Sequence, residues 1–159
     1  MDWHPLVIHF PIALWPVGFL VDLAAWARRR EEWHGFAYLL QALATVGMLV
    51  AVLTGNAAAV VYRDDGRVAD LIQRHEDLAT LALLIFLVTV LGRLPLHLQG
   101  RLGDWKLKGW ILAAGLGAVL MGTTAHLGGE LVYERGVGVK VESATNEGQG
   151  ENDDAGNSD

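Results

Sequence analysis

Four stretches without a single charged side chain decide what this chain can become. They run from Trp3 to Val21, Trp33 to Tyr62, Leu78 to Gly92 and Gly109 to Gly129. An uninterrupted apolar run of about 20 residues is the length that crosses a bilayer as a helix. The third run reaches that length only with its flanks, Asp77 or Arg93 to Leu96, and Arg93 is expected to snorkel to the interface. A chain of 159 residues that is 52% hydrophobic, with a mean hydropathy of +0.31, fits one membrane domain built from these spans.

The flanking residues predict helices over 5–26, 35–62, 75–96 and 106–127. Trp3, Trp26, Trp33, Tyr62, Trp105 and Trp110 fall near their ends, where aromatic belts form. Short connections make the expected fold all-α, a four-helix transmembrane bundle of up-down-up-down topology over residues 1–140. The segment LVYERGVGVKV that follows is expected to lie along the interface. After Lys140 the chain carries six of its eighteen acids and no base, so the net charge of −6 belongs to a disordered acidic tail over 141–159. Asp2 stands where a signal peptide would be basic, so Met1 is expected to be retained.

Basic residues orient the bundle. Arg28, Arg29, Arg30, Arg93, Arg101, Lys106 and Lys108 gather at one end, against Arg63, Arg67, Arg74, Arg135 and Lys140 at the other, where Asp64, Asp65 and Asp70 dilute them. By the positive-inside rule both termini lie on the non-cytoplasmic side of an inner membrane.

With no cysteine, thiolate metal sites, cluster ligation and covalent haem attachment are excluded, and histidine is the remaining strong ligand. His4, His9, His75 and His126 all fall at the outer rim, while His34 and His97 lie at the inner face in ordinary loop or interface positions. Pro5 pushes His4 out of the α region, so His4 is expected to be extended. Were both helical, His4 and His9 would diverge by roughly 140°. Pro11 and Pro16 free the carbonyls of Val7 and Ile12. Ala114, Ala118, Gly122 and His126 make a small-residue stripe ending on a histidine, and Gly47, Ala51, Gly55 and Ala59 make another. Such stripes ordinarily serve close helix packing, and one ending on a ligand leaves room for a flat cofactor. Gly128 and Gly129 are expected to fray the last helix.

Three readings follow from these residues. The first is haem b held by imidazoles, with His9 opposite His126 or His75 because these should lie inside the bundle, and with Arg74 or Arg135 on the propionates. The second is bare zinc or copper on His4, His9, His75 and His126 with Glu76, Asp77 or Glu130. In the third the histidines cap and bridge helices in a structural or assembly subunit. No acid or base stands mid-span, which disfavours ion transport. Phosphate loops, nucleophile elbows and basic nucleic-acid stripes are absent, so a redox or binding subunit is expected rather than a stand-alone enzyme.

HPLVIHFPIAL at the start, RHEDLA at the third span and TAHLGGELVYERGVGV after the fourth resemble the bacterial four-helix membrane proteins grouped as domain of unknown function 2231, over about residues 3–140. The resemblance makes His4, Pro5, His9, Pro11, His75, His126, Gly128, Gly129, Tyr133, Gly136 and Gly138 its motif residues. It implies a polytopic inner-membrane protein and redox work, since similar chains are joined to cytochrome-like or Rieske-type domains. Here such a partner would be a separate protein. The expectation is therefore a lipid-embedded chain, open to homo-oligomerisation, with a histidine site for haem b or a metal serving electron transfer.

Overall fold

The computed structural model describes residues 4–100 and 104–139. Five α-helices follow one another: α1 (His4–Val7), α2 (His9–Arg28), α3 (Glu31–Ala59), α4 (Ala69–Leu98) and α5 (Asp104–Tyr133), with a 3₁₀ turn Val60–Tyr62 extending α3. From α2 onward these contain four candidate spans, long and apolar enough to cross a membrane. Their outward faces carry exposed Leu39, Leu53, Leu84, Leu112 and Val119, as a lipid-facing surface requires. Trp3, Arg101, Lys140 and the acidic tail lie outside the described residues.

Local chemistry explains the breaks. Pro11 has no N–H to give the carbonyl of Val7, and the helix is interrupted at Ile8 between α1 and α2. α2 then runs on through Pro16. Arg29 ends it in the left-handed region (φ 52°, ψ 42°), and the Arg30 N–H donates to the Ala25 carbonyl at 2.9 Å. Glu31 and Glu32 occupy the first turn of α3, where negative charge suits the helix dipole. In the connection before α4, Arg67 grips Asp65 through Nη2 at 2.8 Å and holds that carboxyl below its usual range.

Several boundaries differ from those read in the sequence. His4 opens α1 instead of standing extended, and its carbonyl accepts from the Ile8 N–H at 3.1 Å, the bond that closes the first turn. His75 sits within α4 rather than at its start, since Ala69 and Asp70 already begin the helix. α5 continues through Gly128 and Gly129 to Tyr133, where Leu131 is buried against Ala59, Val68 and Ile72. The chain then turns at Gly136 (φ 67°) and Gly138 (φ 78°), with the Gly138 N–H on the Tyr62 hydroxyl at 3.0 Å.

α2 packs against α3 and α5, and α4 against the same two, so α2 and α4 face each other diagonally across an up-down-up-down bundle. At its centre Trp15 stacks on Phe86, ring centroids 3.4 Å apart at 3°, and the Trp15 indole N–H donates to the Ala114 carbonyl at 2.9 Å. Gly117 makes the stack fit: a Cβ there would stand 3.0 Å from Phe86 Cε1 and 3.1 Å from Trp15 Cζ2.

The two hairpins, α2–α3 and α4–α5, repeat one another. Asp22 and Arg93 form an ion pair 71 residues apart. The same interval relates Trp15 to Phe86, His4 to His75 and buried Gly18 to buried Thr89. An interval one residue shorter relates Ala44 to Ala114, Gly47 to Gly117 and Thr54 to Thr124 on the second helices. Because α2 and α4 run parallel and diagonal, equivalent positions line the bundle axis: the charges pair towards the end with the Arg29 turn, the aromatics stack in the middle, and the histidines lie towards the opposite end.

Candidate functional site

At the terminal end His4 is half-buried, its Nδ1 3.2 Å from Thr54 Oγ1. The Thr54 hydroxyl already donates to the Val50 carbonyl at 2.9 Å, so its oxygen accepts from His4 Nδ1–H. His75, also half-buried, donates Nδ1–H to the Thr124 carbonyl at 3.0 Å. In both rings the hydrogen bond fixes the tautomer and makes Nε2 the lone-pair nitrogen, the arrangement found behind metal-ligating histidines.

Two glycines seat the rings. A Cβ on Gly55 would lie 2.9 Å from His4 Cε1, and one on Gly128 would lie 3.2 Å from His75 Cε1. The parallel is partial: Thr54 and Thr124 occupy equivalent positions of the repeat, whereas Gly55 and Gly128 stand 73 residues apart and do not. Next to His75 in the chain, Glu76 keeps a buried Oε1 that finds no hydrogen-bond partner among the described residues.

A family comparison now bears on this site. Residues 2–141 match the family described as Predicted membrane protein (DUF2231). The chain belongs to that family. No curated protein and no solved structure matches it. The match spans both hairpins, so in this DUF2231 chain the repeat and its axis lie within the family's own extent.

The other rim residues are arranged differently from the reading of the sequence. His9 and His126 are exposed and do not lie inside the bundle. The stripe explains His126: four-residue steps advance about 400° on an α-helix, so the line drifts around α5. Ala114 is buried, Ala118 half-buried, and Gly122 and His126 exposed. On α3, Gly47 receives Pro11 and Gly55 receives His4, so that stripe does serve close packing. Arg74 pairs with Asp70 at 3.0 Å, Arg135 with Glu130 at 3.5 Å, and Asp77 accepts from Gln73 at 2.8 Å. Among the described residues no three of His, Asp and Glu come close enough to hold a metal ion together.

The DUF2231 chain has a second polar site that sequence reasoning passed over. Near the Arg29 turn Asp22 and Arg93 are both 0% exposed and bonded twice. Arg93 Nη2 donates to Asp22 Oδ1 at 2.9 Å, and Nη1 donates to Oδ2. Arg93 does not snorkel, because the carboxylate inside the bundle is a better partner than the interface. His34 is no ordinary loop residue either: it is buried, with Nδ1 2.5 Å from Asp22 Oδ1. Tyr38 stacks on His97 with centroids 4.8 Å apart. The clue was Asp22, an acid within an otherwise apolar helix; an ionisable residue inside a span is by default a functional one.

Proposed function

We propose that the terminal end of this membrane protein holds haem b between His4 and His75 and serves electron transfer at the non-cytoplasmic face of a bacterial inner membrane. The observation that carries the reading is the paired anchoring: both imidazoles are bonded through Nδ1, seated on glycine and related by the repeat, with Nε2 as the coordinating nitrogen. A carbonyl or hydroxyl acceptor behind the ring orients it and raises its basicity. Haem bound there would supply a one-electron couple whose potential the axial imidazoles tune.

The residues fit haem better than a bare ion. Structural zinc takes four protein ligands, whereas no three of His, Asp and Glu come together among the described residues; His4 and His75 would be the residues that hold haem iron. The excess of basic residues at the opposite end supports a rim outside the cytoplasm, where a separate cytochrome or Rieske-type protein, or a second copy of the chain, would exchange electrons with it.

Absorption spectra of detergent-purified protein, oxidised and dithionite-reduced, test the proposal. His4→Ala and His75→Ala should each remove or shift the Soret band, while His9→Ala and His126→Ala keep it. Gly55→Val and Gly128→Val should act like the histidine variants, because the added atoms occupy the ring seats. Folding is checked by circular dichroism on each sample. A folded wild-type protein that stays colourless after haem supplementation, or spectra unchanged in both His4→Ala and His75→Ala, would overturn it.

A further inference from the structure

Between the ion pair and the aromatic stack lies polar surface that the ion pair leaves unsatisfied. Gln41 is 0% exposed, yet neither its Nε2 nor its Oε1 has a hydrogen-bond partner among the described residues. Arg93 Nε is buried in the same condition. Gln41 packs against Gly18, where a Cβ would stand 3.0 Å from its Cγ. Across the repeat Gly18 answers to Thr89, also fully buried, whose hydroxyl donates to the Ile85 carbonyl at 2.7 Å and has lone-pair capacity left. One turn further on, Trp15 and Phe86 close the axis with the apolar side chains of Ala44, Met48, Ala114 and Met121.

We propose that this space binds water: Gln41, Thr89 and Arg93 Nε line a closed hydrated compartment between the Asp22–Arg93 pair and the Trp15–Phe86 stack. Each buried polar group left without a partner costs about 1–3 kcal/mol, and inside a bilayer no lipid can supply one. A buried water makes on the order of three hydrogen bonds and needs polar partners around it, which the amide, the guanidinium N–H and the hydroxyl supply. The terminal histidine pair plays no part in this compartment, and its assignment as a haem site can fail without affecting it.

The test is water-edited solid-state NMR on ¹⁵N-labelled protein reconstituted in phospholipid bilayers. The Gln41 side-chain amide and Arg93 Nε–H should receive polarisation from water as readily as exposed Gln73, while the Trp15 indole N–H, bonded to Ala114, should not. Gln41→Leu, which keeps the shape without the amide, should lower the transfer from water to Arg93 Nε–H. Thr89→Val, which removes the hydroxyl, should weaken the Gln41 signal. The compartment is excluded if Gln41 and Arg93 Nε stay as dry as Trp15. It is equally excluded if Trp15 is polarised as strongly as they are, since the stack would then not close it.

Discussion

Near the Arg29 turn, two equivalent positions of the repeat carry opposite charges that consume one another: both Asp22 oxygens are bonded, and the pair is sealed from solvent. At the terminal end, two equivalent positions carry the same imidazole ring, and each bonds the protein through Nδ1. The scaffold is the same at both ends, yet the chemistry diverges with the residue pair. Unlike charges meeting on the axis make a contact specific to this pairing of hairpins, whereas like imidazoles offer each other no such attraction, and on the proposed reading they would hold a third party between them. Removing partners one at a time should separate these roles.

The largest effect is expected from the charges. Asp22→Leu alone strands a buried guanidinium, and Arg93→Leu alone strands a buried carboxylate, each costing about 3–5 kcal/mol. The double variant removes the desolvation penalty along with the attraction, and should recover most of that loss. Reversible unfolding in bilayers or mixed micelles checks this. If the double variant is as unstable as the singles, the site is held by more than its charge balance.

At the terminal end the two threonines offer a finer comparison. Thr54 holds His4 through its hydroxyl, whereas Thr124 holds His75 through its main-chain carbonyl. If haem binds as proposed, Thr54→Val should therefore weaken its retention by roughly 10–100-fold, the usual cost of losing a partner behind a ligand. Thr124→Val keeps the carbonyl and should change retention little. Haem titration of the two purified variants measures the difference, and equal losses would show that the threonines act through packing instead.

In the middle of the axis, Gly117→Val presses on both aromatic rings. Overpacking of this kind typically costs about 1–3 kcal/mol. The same substitution at Gly122, which has nothing within 4 Å, should be close to silent. Unfolding curves for the two variants test whether the central stack carries the stability that its position suggests.

Much of this architecture was legible in the sequence because the signals were one-dimensional. Charge-free runs gave four spans, and turns of few residues gave their alternation. The repeat was not legible as residue identity: Trp15 answers to Phe86 and Asp22 to Arg93, so only the spacing betrays it. Which histidines belong together was hidden for the same reason. Proximity to a rim placed four of them at one end, but burial depends on the angle around each helix, and that angle turned His9 and His126 outward. The importance of Asp22 was obscured because its partner lies 71 residues away.

The smallest effect belongs to the contact that joins the two ends. Trp15 reaches across the bundle to the Ala114 carbonyl, and Trp15→Phe would keep an aromatic ring on Phe86 while deleting that hydrogen bond. Side-chain hydrogen bonds between transmembrane helices average about 0.6 kcal/mol, so the loss should be near that figure with a modest addition for the smaller ring. A loss several times larger would mean that the indole N–H sets the register of α2 against α5. In that case the alignment of both His4 with His75 and Asp22 with Arg93 would depend on it, and the variant's haem retention should fall together with its stability.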